Sequence, residues 1–80
     1  MIRYTILLVD DDYFVLNGIG KYLSNKGYDV MIADSGEKGL DLLDERHFHM
    51  VITDLAMERI NGIGVLKKAK ENSPETMVMI

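Results

Sequence analysis

Short apolar runs alternate with stretches of helical spacing along the whole of this 80-residue chain. The runs are Tyr4–Val9, Tyr28–Ala33, His49–Thr53 and Thr76–Ile80. Near-continuous apolar runs of this length suit strands buried on both faces of a sheet. After the first run, Val15, Leu16, Ile19, Tyr22 and Leu23 recur at helical spacing and predict an inward stripe. Leu40 and Leu43 mark a second helix, to about Arg46. Gly62 opens a third, with Ile63, Leu66 and Ala69 inward and Lys67, Lys68 and Lys70 mostly outward. The order βαβαβαβ predicts an α/β fold, a parallel sheet with helices on its faces and right-handed crossovers.

The punctuation agrees with this division. Asp12 stands where a carboxylate caps the first helix by accepting from its orphan N–H groups. Gly18 and Gly20 weaken that helix by about 1 kcal/mol each relative to Ala, and Gly27 suits the left-handed stop after it. Asp34-Ser35-Gly36 turns the chain and offers a second cap; Asn72-Ser73-Pro74 breaks the third helix. Residues 54–61 read as a loop. The six methionines fall at core-type positions, with Met77 and Met79 alternating on the last strand. His47 and His49 read as strand-entry residues.

One small domain is all this length allows. Such a chain buries roughly 60–65% of its unfolded surface, so its core is thin. Cysteine is absent, which rules out a disulfide or thiolate zinc site and accords with a cytoplasmic setting. A net charge of −4 argues against direct nucleic-acid binding by this segment. No apolar run approaches the ~20 residues of a membrane helix, and Met1-Ile2-Arg3-Tyr4 is no secretion signal.

Two acidic sites carry the chemistry. Ile6-Leu7-Leu8-Val9 runs into Asp10-Asp11-Asp12, and Met50-Val51-Ile52-Thr53 runs into Asp54. Ligands of open parallel α/β sheets sit beyond the carboxyl ends of the strands, where the strand order reverses. In a 2-1-3-4 order, Asp10 and Asp11 would face Asp54 across that crevice. Carboxylates so close repel unless a cation joins them, and Mg²⁺ suits carboxylates, water and phosphate oxygens. Taken singly, each site reads more readily as turn, cap or loop chemistry; their joint placement on the first and third strands favours the shared pocket.

At these residues the chain resembles the receiver domain of two-component response regulators. Ile6-Leu7-Leu8-Val9-Asp10-Asp11-Asp12 looks like that family's strand and acidic pair. Val51-Ile52-Thr53-Asp54-Leu55-Ala56-Met57 looks like its phospho-acceptor segment, and Gly62 lies at the family's spacing beyond it. Gly27-Tyr28 and Ala33-Asp34-Ser35-Gly36 also look typical. The resemblance implies a flavodoxin-like doubly wound parallel sheet. It implies that Asp54 accepts a phosphoryl group from a histidine kinase or phosphotransfer protein. Mg²⁺ would be held by Asp11 directly, by Asp10, by Asp54 and by the backbone carbonyl of Ala56. Such a domain is a phospho-accepting signalling module and not an enzyme. A Mg²⁺-dependent phosphatase commonly has a second acid two residues after its nucleophile, and position 56 is Ala.

The chain departs from the family in two ways. Glu58, followed by Arg59, stands where the family usually has proline, which leaves that loop less constrained. The family also has five strands and five helices, whereas this pattern ends in its fourth strand. The fifth strand, the last two helices, and the hydroxyl, lysine and aromatic residues they contribute are not represented. Residues 1–80 are therefore expected to be the amino-terminal two-thirds of a receiver, with phosphotransfer impaired. The alternative is a non-catalytic folding or self-association module. An exposed fourth strand or an uncovered sheet face predicts homo-oligomers.

Overall fold

The computed structural model describes residues 3–53 and 62–79. Four strands and three helices alternate: β1 (Thr5–Val9), α1 (Tyr13–Asn25), β2 (Asp29–Ala33), α2 (Gly36–Glu45), β3 (Met50–Thr53), α3 (Gly62–Asn72) and β4 (Met77–Met79). All strand pairs are parallel, and the sheet order is β2-β1-β3-β4. This is the expected α/β architecture and order. The chain moves one way from β1 to β2 and the other way from there to β3 and β4. Right-handed crossovers then place α1 on one face and the later helices on the other. The reversal falls between β1 and β3.

Leu7, Val9, Ala33 and Val51 point to the face under α2 and α3. There they pack with Leu43, Phe48, Val65 and Ala69 as one buried cluster. The opposite face holds a smaller cluster of Ile6, Leu8 and Leu16 under α1. Helix α1 lies on β1 and β2. Of its expected inward stripe only Leu16 is buried, and Leu23 is half-buried. Val15 and Ile19 are exposed, and Tyr22 is 62% exposed. The spacing groups these residues on one side, but Val15 and Ile19 stand beside Ile52 and Thr53 of β3, where no described element covers them.

Two further expectations change for similar reasons. Met77 and Met79 are 63% and 54% exposed. They pair in register with Met50 and Ile52, and so share the lightly covered face; they are not core methionines. Among the described side chains of α3, Val65 and Ala69 are buried and Leu66 is half-buried, while Ile63, also expected inward, lies outside them.

The turns follow local chemistry. Asp12 and Ser35 cap α1 and α2 through their side chains. Gly27 has φ +97°, a backbone state that a Cβ disfavours. Gly39 lets α2 approach β1: a Cβ there would stand 2.9 Å from Val9 Cγ2.

Candidate functional site

The carboxyl ends of the central strands are level, because Val9 of β1 pairs with both Ala33 of β2 and Thr53 of β3. Asp10 follows directly, and its N–H donates to the Ala33 carbonyl at 3.1 Å, extending the ladder one residue beyond the strand. Its half-buried carboxylate accepts the Asp12 N–H on Oδ1 at 2.9 Å. Asp12 Oδ1 accepts the N–H groups of Phe14 at 3.0 Å and Val15 at 3.4 Å. Asp11 is exposed and, among the described residues, makes no hydrogen bond or ion pair.

Three successive aspartates therefore do three different things. Asp12 holds the start of α1, as its sequence position predicted. Among the described residues, Asp10 and Asp12 each have one oxygen without a partner and Asp11 has both. A fourth acid, Asp34, follows β2 but is paired with Lys38 at 2.8 Å. That hydrogen bond and charge hold the Asp34 carboxyl below its ordinary range. Among the described residues, no lysine or arginine pairs with Asp10, Asp11 or Asp12.

Hard carboxylate oxygens of this kind fit a small divalent ion that retains several waters. Among the described residues, no three histidine or acidic side chains stand together as a metal-binding group. The other members expected of such a site, Asp54 and the Ala56 carbonyl, lie outside the described residues, as do Met57, Glu58 and Arg59. Buried Thr53 ends β3, and Asp54 follows it in sequence.

Beneath the carboxylates lies a cavity of about 230 Å³, lined in part by Leu8, Asp10, Leu16, Ile52 and Thr53. On the other face of the sheet stands Gly39, which the sequence reading passed over: only a glycine on the buried stripe of α2 lets the helix sit against Val9. The legible signal was a glycine four residues before Leu43, on the helix's apolar side. Phe14 was also passed over. It lies off the predicted stripe and stands 88% exposed beside the acidic turn.

The amino end of the sheet is closed by contrast. His49 Nδ1 accepts the Thr5 N–H at 3.0 Å, which joins the entries of β1 and β3. Since a backbone N–H can only donate, this Nδ1 is unprotonated. Ser73 Oγ lies 3.2 Å from His47 Nδ1 and donates to Glu75 at 2.6 Å. That bond draws the Glu75 carboxyl below its usual range. The histidines thus serve at strand entry, as expected. No helix among the described residues is long and apolar enough to cross a membrane.

Comparison with known proteins accords with this geometry. Residues 6–80 match the family described as the response regulator receiver domain. The transcriptional regulatory protein GlrR of Escherichia coli K12 is 36% identical over 75 residues, which are 94% of this chain and 17% of that protein. A response regulator receiver domain protein from Clostridium thermocellum is 31% identical with a TM-score of 0.87, covering 94% of this chain and 61% of that one. A CheY-like receiver protein from Methanospirillum hungatei JF-1 is 28% identical with a TM-score of 0.92, covering 96% and 62%. The chain therefore spans less than two-thirds of the length of each of these proteins.

Proposed function

From the premise that the chain belongs to the response regulator receiver domain family, we propose that Asp54 accepts a phosphoryl group from a histidine kinase or phosphotransfer protein. One Asp54 carboxylate oxygen attacks phosphorus as the phosphorus–nitrogen bond of the donor phosphohistidine breaks. An acyl phosphate forms, and the donor imidazole leaves with the bonding electron pair. The observation that carries this reading is the level ending of β1 and β3, with Asp10 and Asp11 directly after the first.

Asp11 would hold Mg²⁺ directly, Asp10 would support it with the oxygen that Asp12 leaves open, and Asp54 and the Ala56 carbonyl would complete the protein donors. When bound, the ion offsets negative charge on the phosphoryl oxygens. Asp12 is assigned to the helix start, where its Oδ1 accepts two N–H groups, and not to ligation. Residues 1–80 correspond to the amino-terminal two-thirds of a receiver domain, acting in the cytoplasm and not as an enzyme in its own right.

Incubation with a small-molecule phosphodonor and Mg²⁺, followed by intact-mass measurement, tests the assignment. Addition of one phosphoryl group, lost in Asp54→Asn, is expected. An absent adduct, or one that persists in Asp54→Asn, contradicts it. A second reading, association between copies, is favoured by the exposed Met77 and Met79 on edge strand β4. Sedimentation at micromolar concentration should then show dimers or larger species; a clean monomer removes this reading and leaves the first intact.

A further inference from the structure

We draw no further inference here: the strongest candidate, the cavity of about 430 Å³ near the amino end of the sheet lined in part by Asp44, Arg46, His47, Asn72 and Ser73, mixes acidic, basic and amide groups and, among the described residues, holds no buried unpartnered polar atom to show what chemistry occupies it.

Discussion

The two faces of the sheet are built from the same strands and differ in how far they are covered. On the face of α2 and α3, Leu7, Val9, Val51, Phe48, Val65 and Ala69 are nearly inaccessible to solvent. On the face of α1, burial is complete only over β1, at Ile6, Leu8 and Leu16, and fades to the exposed Met77 and Met79 on β4. Strand sequence alone does not decide burial, since neighbouring residues of one strand go to opposite faces. Helix cover decides it. Asp10 and Asp11 of the proposed site follow β1, where both faces are covered, so their support is firm even though half of one face is open.

The largest expected effect contrasts the faces directly. Phe48→Ala removes a ring that is 1% exposed and should cost about 3–5 kcal/mol in urea unfolding. Met79→Ala on the open face should cost less than about 1 kcal/mol, as a half-exposed side chain loses little buried area. Equal losses would mean that the open face is covered in solution. Glycines give a smaller contrast of opposite sign. Gly39→Ala drives a methyl group against Val9 and should destabilise by about 1–3 kcal/mol. Gly18→Ala on α1 meets nothing within 4 Å and should stabilise by up to about 1 kcal/mol.

The smallest effect is set by pH. Asp44 on α2 accepts from Lys68 on α3, 3.0 Å away, and from Asn72, which pull its carboxyl below the ordinary range. The same pair pushes the Lys68 ammonium upward. The unfolded chain binds the Asp44 proton at higher pH than the folded one. The contribution is therefore complete above the ordinary carboxylate value, near 3.8, and fades as pH falls through the lower folded value. The lysine side is complete below its ordinary value, near 10.5, and fades as pH rises through the higher folded value. Asp44→Asn should flatten the acid limb of stability against pH. An unchanged limb would show that this exposed pair does not tie the two helices together.

Much of this organisation was legible because alternation, caps and turns are local signals. Each strand nevertheless begins one residue later than its apolar run: Thr5 after Tyr4, Asp29 after Tyr28, Met50 after His49 and Met77 after Thr76. The preceding residues enter the sheet's edge through turn bonds or single ladder bonds, as where His49 N–H donates to Thr5 O. Thr76 is buried for a different reason, its hydroxyl donating to the Phe48 carbonyl at 2.7 Å. The outward turn of Val15, Ile19 and Tyr22 was not legible, because periodicity groups residues on a face but carries no information on what that face meets. At the site, the cap role of Asp12 was readable from its position before a helix. The division between Asp10 and Asp11 was not, since it depends on the Asp12 N–H turning back onto one carboxylate.

The central claim is that Asp11 grips a divalent ion while Asp12 only holds the helix start. Mg²⁺ titration of the wild type, Asp11→Ala and Asp12→Asn, read by calorimetry, tests it most directly. Asn caps a helix about as well as Asp, so Asp12→Asn should bind within a few-fold of wild type. Asp11→Ala should lose at least about tenfold in affinity, or about 1.4 kcal/mol, as one of few protein ligands disappears. Equal affinity in the wild type and Asp11→Ala would contradict the account.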